Sequence, residues 1–508
     1  MAKQKQNIRS VAFVSLGCPK NLVDSEKMLG LLAEDGIAIT SDHDQADAIV
    51  INTCGFLEAS KTESLEVIRE AVERKQKAAK AGRAKRVIVV GCLVQRHKTQ
   101  LLSEVPEIDA LVGVFDREQI VQAVRGSPHQ PFSEAGRDMG VFHPVTTFIR
   151  KLGKSDIGKG YVESDRARLR LTPRHYAYLR ISEGCNQGCT FCTIPSIRGR
   201  MRSKPLSDIL AEAEELFADG VFELNLIGQD TTSYGQDIGY GGGLSGLLRS
   251  LDKLALRRGG KGGGWIRLMY AYPSRFTDEM IKTLADCQSV VKYIDMPLQH
   301  INDDILHAMR RRVTRKQIET LLAKLRKWVP GITLRTTFIT GFPGETDAQH
   351  QELLQFVQTF RFENLGVFEF SPEPGTPAAR MTIRDATVKE RAPAIDIAAK
   401  RKEELMLAQQ RIVLENNQAM VGRTIQVLID DVNPKQKTAI ARHVGQAPDI
   451  DGCVYLTHCT APLPTPGEVL NAQIESHDYY DLIAHPVADA PKEKNKRSLP
   501  VVRTDTCF

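Results

Sequence analysis

Three cysteines that lie close together after an apolar stretch carry the clearest chemical signal in this sequence. In the segment YLRISEGCNQGCTFC, three residues separate Cys185 from Cys189 and two more separate Cys189 from Cys192. Glycines before the first and second cysteines allow tight turns, so the three thiols can face one point. Three thiolates can hold three irons of a 4Fe–4S cluster and leave one iron open, whereas an electron-carrying cluster usually takes four. A zinc site is the alternative, with His175 as the nearest further ligand type.

A second set of three cysteines is dispersed over the first part of the chain. Cys18, Cys54 and Cys92 end the apolar segments VAFVSLGC, AIVINTC and RVIVVGC. If these segments are parallel strands of one sheet, their carboxyl ends share one edge and the three thiols can converge there. A lone buried cysteine is usually a small apolar residue, but three at equivalent positions, each beside a glycine, favour ligation. We therefore predict a second three-cysteine cluster, again with one open iron.

The elements that must position the dispersed set alternate between strands and helices. This alternation over residues 8–125 predicts an open parallel α/β domain. Its predicted strands are Val11–Ser15, Ala48–Ile51, Arg86–Val90 and Ala110–Val112. Residues 126–170 lack a clean periodicity and are predicted to form a connector.

The remainder of the chain contains two further patterns. Six larger strand–helix units over residues 171–408 predict a partial (β/α)6 barrel, whose active site would lie at the carboxyl ends of its strands. Short, turn-punctuated segments over residues 409–484 predict a small all-β barrel. Residues 485–508 are predicted to be a disordered tail. The predicted fold class is α/β, with an all-β barrel at the C-terminus.

Composition is that of an ordinary globular protein. The 508 residues are 42% apolar and 26% charged, with a formal net charge of +6, which does not by itself imply a nucleic-acid partner. No segment approaches the roughly 20 apolar residues of a membrane span. We expect a cytoplasmic protein without a membrane or DNA partner. In a reducing compartment, its ten cysteines are more often metal ligands or catalytic groups than disulfides.

The cysteine patterns resemble those of a known family. The spacing of Cys185, Cys189 and Cys192, with Phe191 before the last, is similar to the signature of the radical S-adenosylmethionine (SAM) superfamily. The dispersed cysteines, the barrel and a C-terminal β-barrel called TRAM together resemble the methylthiotransferase family. The stretches LGCPKNLVDSE and DMPLQH look like its RimO branch, which modifies an aspartate of ribosomal protein S-twelve. The tRNA-modifying branch, MiaB, typically has Gly-Cys-Gln-Met-Asn where this chain has Gly-Cys-Pro-Lys-Asn.

The resemblance implies two 4Fe–4S clusters and SAM as cofactors. One SAM would supply a methyl group to sulfur held at the cluster of Cys18, Cys54 and Cys92. Another, at the barrel cluster, would yield a radical that abstracts hydrogen from the aspartate β-carbon, a position that no side-chain base could deprotonate at neutral pH. An electron donor such as flavodoxin or ferredoxin is implied as a partner.

Five residues are predicted to contact SAM, namely Phe191, Gly228, Gln229, Gly341 and Glu345. The stretch from Gly341 to Glu345 ends the fifth barrel strand and resembles the adenine-contacting stretch of the superfamily, although Thr337 replaces its usual leading glycine. Gly228 and Gln229 follow the second strand, where the methionine part of SAM would lie. As an alternative, both stretches are ordinary barrel turns. His300, at the end of the fourth strand, is either an active-site residue or a buried, hydrogen-bonded histidine.

Charge in the C-terminal segment discriminates between possible partners. Residues 409–484 carry five basic and nine acidic side chains, a net charge of −4 with neutral histidines. An RNA-binding module should be basic, whereas an acidic barrel suits a basic ribosomal protein; a solvated acidic face is the alternative. We predict methylthiolation of an aspartate of S-twelve. The alternatives are methylthiolation of tRNA adenosine and an iron–sulfur electron carrier.

Overall fold

The computed structural model describes residues 8–83, 85–126, 146–148, 164–257, 264–385, 391–459 and 462–487. Most of the predicted connector at 126–170 and nearly all of the predicted tail lie outside these residues. The described part contains two parallel sheets followed by a closed barrel. None of its helices is long and apolar enough to cross a membrane.

The N-terminal unit is a parallel sheet that is covered by helices on both faces. Its strands are β1 (Ser10–Ser15), β2 (Ala38–Thr40), β3 (Ala48–Thr53), β4 (Arg86–Gly91), β5 (Ala110–Val112) and β6 (Thr146–Phe148). Its helices are α1 (Pro19–Glu34), α2 (Glu58–Lys80), α3 (Cys92–His97), α4 (Leu101–Glu104) and α5 (Ile120–Arg125). The strand order is β2-β1-β3-β4-β5-β6. Apolar clusters fill both faces, which is why the central strands read as continuous apolar runs.

The middle unit is an open six-stranded parallel sheet. Its strands are β7 (Tyr176–Arg180), β8 (Ser182–Glu183), β9 (Arg202–Ser203), β10 (Glu223–Ile227), β11 (Trp265–Leu268), β12 (Val290–Asp295), β13 (Thr333–Thr340) and β14 (Asn364–Glu369). The large sheet has the order β14-β13-β12-β11-β10-β7, and β8 and β9 form a separate antiparallel pair. This confirms the predicted partial barrel.

Helices of the middle unit alternate with these strands. They are α6 (Ile194–Ile197), α7 (Leu206–Ala218), α8 (Gly243–Arg257), α9 (Asp278–Asp286), α10 (Asp303–Ala308), α11 (Arg315–Trp328), α12 (Asp347–Phe360), α13 (Pro377–Asp385) and α14 (Arg391–Gln418). Threonines begin α11 and α12 with capping boxes, because Thr314 and Thr346 each exchange hydrogen bonds with a glutamine three residues later.

The C-terminal unit is a closed five-stranded barrel, as the sequence predicts. Its strands are β15 (Thr424–Asn433), β16 (Thr438–His443), β17 (Val454–Leu456), β18 (Val469–Asp478) and β19 (Asp481–Val487), in the order β15-β16-β17-β19-β18. Strand β19 extends three residues into the segment predicted as a disordered tail. Those residues are ordered because they pair with β18, with Val487 opposite Asn471.

The C-terminal barrel packs against the amino ends of the strands of the middle sheet. Arg442 of β16 bonds both Glu223, the first residue of β10, and Asp430 of β15. Asp430 also bonds His175, and Asp451 accepts a hydrogen bond from Tyr293. The C-terminal barrel therefore closes the end of the middle sheet that is opposite to the cysteines.

Candidate active site

The loop after β8 carries Cys185, Cys189 and Cys192. Gly184, directly before the first cysteine, has a φ of +79°, and a Cβ atom there would overlap the carbonyl oxygen of Arg200. This glycine is therefore required for the turn that begins the loop. The three thiols lie within electrostatic range of one another, as their spacing predicts.

Each sulfur of this barrel set accepts one hydrogen bond. The backbone N–H groups of Gln187 and Ile194 donate to the Sγ atoms of Cys185 and Cys192, over 3.4 and 3.5 Å. The guanidinium of Arg311 lies 3.6 Å from the Sγ atom of Cys189. Donors of this kind stabilise a sulfur that carries negative charge.

Burial makes two of these thiols, those of Cys185 and Cys192, poor acids. It raises the pKa of Cys185 to about 11 and the pKa of Cys192 to about 12. At neutral pH such thiols stay protonated and unreactive unless a metal binds them. The hydrogen bonds to the sulfurs and the raised pKa values of the thiols therefore fit metal ligands better than free nucleophiles.

The dispersed cysteines meet at one edge of the N-terminal sheet. Cys54 follows β3, Cys92 begins α3 after β4, and Cys18 precedes α1 after β1. The three strands β1, β3 and β4 are adjacent in the sheet. Their carboxyl ends therefore share one edge, as predicted, and bring the thiols together there. The charge of Cys18 acts on both Cys54 and Cys92, and burial raises the pKa of Cys92 to about 12.

Glycines beside this N-terminal set allow its loops to approach closely. A Cβ atom on Gly17 would lie 2.9 Å from the Cβ atom of Cys54, so the loop that carries Cys18 packs directly on Cys54. Gly91, before Cys92, has a φ of +99°, and a Cβ atom there would overlap the side-chain oxygen of Asn52. Neither position accommodates another residue without movement of the backbone.

A buried arginine of the middle unit reaches the N-terminal set. Arg198 directly follows α6, and its guanidinium donates to the Sγ atom of Cys92 over 3.3 Å. The same group bonds Asn21 and pairs with Asp24 and Glu183 over 3.0 Å each. One side chain therefore connects the loop after the barrel cysteines to a thiol of the other domain.

Further buried charges hold the two domains together. Arg180 of β7 pairs with Asp24 of α1 and with Asp165, and Lys204 bonds Asp165 over 2.6 Å. Although burial alone would raise the pKa of Asp24, the surrounding arginines lower it to about 2. The network is ionised on both sides, and it fixes how α1 lies against the barrel.

The loop after β11 extends from one cysteine set to the other. Tyr270 lies under the ammonium group of Lys20, with Nζ 3.0 Å from the ring centroid, and burial together with the charge of Cys18 raises the pKa of its hydroxyl. Two residues later, the hydroxyl of Tyr272 lies 4.0 Å from the Sγ atom of Cys189. Residues separated by two positions are at most about 7 Å apart along the backbone. This loop therefore lies between the two cysteine sets.

The predicted SAM-contact residues lie around the barrel set. Gly228 follows β10, and a Cβ atom there would lie 2.7 Å from the Oγ atom of Ser182, just before the cysteine loop. The side-chain amide of Gln229 donates to Glu183 over 2.6 Å, and its Oε1 atom has no partner within the described part of the chain. Phe191 packs in a small apolar cluster with Ile339 and its neighbours.

The carboxylate of Glu345 stabilises the turn from Gly341 to Glu345. Glu345 accepts hydrogen bonds from the N–H of Gly341 and from His300, and it pairs with Arg401 of α14 over 3.0 Å. His300 is fully buried, which agrees with the alternative of a hydrogen-bonded core histidine. The role of Gly341 and Glu345 as SAM contacts stays a prediction.

The zinc alternative does not fit the described residues. Among them, no three Cys, His, Asp or Glu side chains converge closely enough to hold a single metal ion. His175, the candidate fourth ligand, bonds Asp430 at the opposite end of the barrel. A 4Fe–4S cluster binds each thiolate at a different iron, so its ligands stand farther apart than those of one zinc ion, which needs sulfurs about 2.3 Å from one centre.

Several residues of this site have no signal in the spacing of the cysteines. Arg198 follows no recognisable pattern, whereas Arg311 belongs to a run of three arginines at 310–312. The contact with sulfur is what identifies each of them as a site residue. Lys20 and Asn21 belong to the stretch Gly-Cys-Pro-Lys-Asn, which indicated the family but not what these side chains touch. The buried side chain of Asn21 bonds the carbonyl of Thr53 and so ties α1 to the end of β3.

Comparison with known families divides the chain as the structure does. Residues 10–113 match the uncharacterized protein family UPF0004, residues 179–357 match the radical SAM superfamily, and residues 421–487 match the TRAM domain. The solved structure of the radical S-adenosylmethionine methyltransferase TsrM from Kitasatospora setae shares the fold over 73% of this chain and 74% of its own, with a TM-score of 0.51 at 15% identity.

Curated relatives cover nearly the whole chain. The ribosomal protein uS12 methylthiotransferase RimO of Anaeromyxobacter sp. (strain Fw109-5) is 42% identical over 96% of this chain and 94% of its own length. The RimO of Trichlorobacter lovleyi is 40% identical over 96% and 99%, and that of Desulforamulus reducens is 42% identical over 93% and 98%. The chain therefore belongs to the RimO family of ribosomal protein uS12 methylthiotransferases.

Proposed function

We propose that this chain transfers a methylthio group to the β-carbon of an aspartate in ribosomal protein uS12. The observation that carries the proposal is the loop from Tyr270 to Tyr272, which contacts Lys20 beside Cys18 at one end and Cys189 at the other. It brings two cysteine sets from different domains near each other. A transfer that uses a radical at one site and sulfur at another needs both sites within reach of one substrate carbon.

Each set would hold one 4Fe–4S cluster. Cys185, Cys189 and Cys192 would hold the first, beside SAM, and the N-terminal set of Cys18, Cys54 and Cys92 would hold the second. When bound, these groups supply the one-electron chemistry and the sulfur that amino-acid side chains cannot provide. A flavodoxin or ferredoxin would serve as the electron donor in the cytoplasm.

The protein's own residues position the two sets and exclude water. Arg311 stacks on Tyr272 with 4.1 Å between the guanidinium carbon and the ring centroid, and so holds its charge at Cys189. Val23 of α1 packs in one apolar cluster with Tyr178 and Met269 of the barrel. This apolar contact excludes water from part of the interface between the two domains, and exclusion of water protects reactive species.

The charge of the C-terminal barrel supports a basic protein as the partner. Asp430, Asp449, Asp451 and Arg442 bond residues of the middle unit, so these four charges are engaged within the protein. Removing them from the five basic and nine acidic side chains of residues 409–484 leaves four and six, a net charge of −2. An acidic surface steers a basic ribosomal protein and repels RNA phosphates.

The proposal is tested by offering both classes of substrate to the same enzyme. Enzyme with reconstituted clusters, SAM and a reductant is incubated separately with uS12 and with unmodified tRNA, and mass spectrometry locates any added methylthio group. We expect the group on one aspartate of uS12 and none on tRNA. Modification of a tRNA adenosine, with uS12 unchanged, would assign the chain to the other activity.

A further inference from the structure

A buried lysine faces the space between the two cysteine sets. Lys20 lies in the first turn of α1 and is only 6% exposed. Its Nζ atom lies over the ring of Tyr270, and no carboxylate of the described residues is within salt-bridge distance of it. An ammonium group that is buried to this extent normally pairs with a carboxylate, because its three N–H donors lose their hydration. The ring contacts one side of the group and leaves donors unused.

The position of Lys20 is set by both domains. It follows Cys18 by two residues, whereas the tyrosine beneath it leads to Tyr272 and the Sγ atom of Cys189. The charges that act on it are those of Cys18, Arg198, Glu183 and Asp295, so it is surrounded by groups from both domains. Its ammonium group therefore lies beside the loop that connects the two sets.

The other cations around this space already have partners. Arg198 bonds Asp24, Glu183 and the thiol of Cys92. Arg335 pairs with Asp295 over 2.9 Å and with Asp451 over 3.4 Å. Arg311 donates to the carbonyl of Pro297 and to Cys189, and its Nε–H has no partner among the described residues. Lys20 differs from all three, because within the described chain its ammonium group makes no hydrogen bond and no ion pair.

The proposed reaction brings an anion to this place. The β-carbon of an aspartate is bonded directly to its carboxylate carbon, so a β-carbon between the two sets carries its carboxylate into the same space. We propose that Lys20 binds the side-chain carboxylate of the substrate aspartate and thereby selects aspartate over a neutral side chain. This inference rests on the proposed function. It requires no further group, since the lysine supplies the charge and the hydrogen bonds.

Binding without turnover tests the inference. Reconstituted enzyme with SAM and no reductant is titrated with uS12 and with a uS12 variant that has asparagine at the modified position, and dissociation constants are measured by fluorescence anisotropy. We expect wild type to prefer aspartate. We expect Lys20→Met to weaken binding of the aspartate form at least about 30-fold and to leave the asparagine form unchanged, because a buried charge pair loses one partner. Lys20→Arg should keep most of the preference.

Controls separate this role from others. Lys27→Met removes a lysine from the same helix that bonds the carbonyl of Arg166, and it should leave both dissociation constants unchanged. Iron content and the electron paramagnetic resonance (EPR) spectrum are measured for each variant. Loss of the second cluster in Lys20→Met would show that the lysine serves the cluster, and an unchanged preference for aspartate would show that it does not read the carboxylate. If wild type still modifies uS12, either result overturns this inference and leaves the proposed function standing. If wild type neither binds nor modifies uS12, the proposed function fails, and this inference fails with it.

Discussion

The two cysteine sets are built in different ways. The barrel set lies on one loop, two of its thiols accept hydrogen bonds from nearby backbone N–H groups, and Cys189 accepts one from Arg311 of the same unit. The N-terminal set comes from three strand ends; Cys54 accepts a bond from the backbone N–H of Phe56, but Cys92 accepts its bond from Arg198 of the other domain. A local loop can hold its ligands with little help, whereas a convergent set exists only when the sheet is formed and the domains are docked. The N-terminal set should therefore be the more fragile of the two.

The largest expected effect follows from loss of a barrel thiol. Three thiolates are the minimum that holds a cluster with one open iron, so Cys189→Ala should abolish reductive formation of 5′-deoxyadenosine from SAM and all methylthiolated product. Chromatography of the reaction mixture measures both. Cys287→Ala, at a buried cysteine after α9, is the matched control and should retain both activities. Near-normal 5′-deoxyadenosine formation by Cys189→Ala would refute the role of this set.

Loss of a thiol from the N-terminal set should separate the two chemistries. Cys54→Ala should still bind iron at the barrel set and still cleave SAM reductively, because the ligands of that set and their hydrogen-bond donors all belong to the middle unit. It should form no methylthiolated uS12. The same chromatographic assay, combined with mass spectrometry of uS12, checks both statements. Product at the wild-type rate would mean that the N-terminal set does not handle sulfur.

Removal of the arginine between the sets should harm the convergent set first. Arg198→Gln leaves Asp24 and Glu183 buried with less compensating charge, which costs about 3–5 kcal/mol of unfolding free energy. Urea denaturation measures this loss. In a Cys185, Cys189, Cys192→Ala background, which keeps only the N-terminal set, Arg198→Gln should lower the iron content. In a background that keeps only the barrel set, the same substitution should lower it much less. Arg198→Lys should restore part of both. Equal iron loss at the two sets would contradict the comparison.

The smallest effect comes from two glycines that both have positive φ angles but differ in their surroundings. Gly188, in the barrel loop, has a φ of +67° and open space where a Cβ atom would lie, so Gly188→Ala should cost about 1–2 kcal/mol. A Cβ atom on Gly91 would meet Asn52 and lie 2.8 Å from the carbonyl oxygen of Thr53, so Gly91→Ala should cost more and should reduce iron at the N-terminal set. Thermal unfolding and iron analysis compare the two variants. Equal costs would show that the N-terminal loops are not tightly constrained.

Sequence patterns predicted the elements that repeat and missed those that depend on their surroundings. The long strands of both sheets were predicted to within a few residues because apolar runs mark strands that are buried on both faces. The edge strand Ala38–Thr40 has only three residues, and Thr146–Phe148 lies in a segment without periodicity, so neither was predicted. Strand β19 was missed because its pairing with β18, rather than its own composition, makes it a strand.

The candidate site shows the same division. Spacing and strand ends predicted which cysteines belong together. The contacts of Arg198 and Lys20 could not be predicted, because each reaches a residue of another domain through the packing of α1 on the barrel. Charge counting along the chain also treated Asp451 as a surface residue. The structure pairs it with Tyr293 and Arg335, and burial raises the pKa of its carboxyl group.

The central claim is that both sets open on one space, and EPR spectroscopy of the reduced clusters tests it most directly. Spectra and relaxation rates are recorded for wild type, for Cys54→Ala with only the barrel cluster, and for the Cys185, Cys189, Cys192→Ala variant with only the N-terminal cluster. Two paramagnetic clusters within reach of one substrate carbon should relax each other. We expect the wild-type spectrum to be broadened, and its relaxation faster, relative to the sum of the two single-cluster spectra. A wild-type spectrum equal to that sum would contradict the claim.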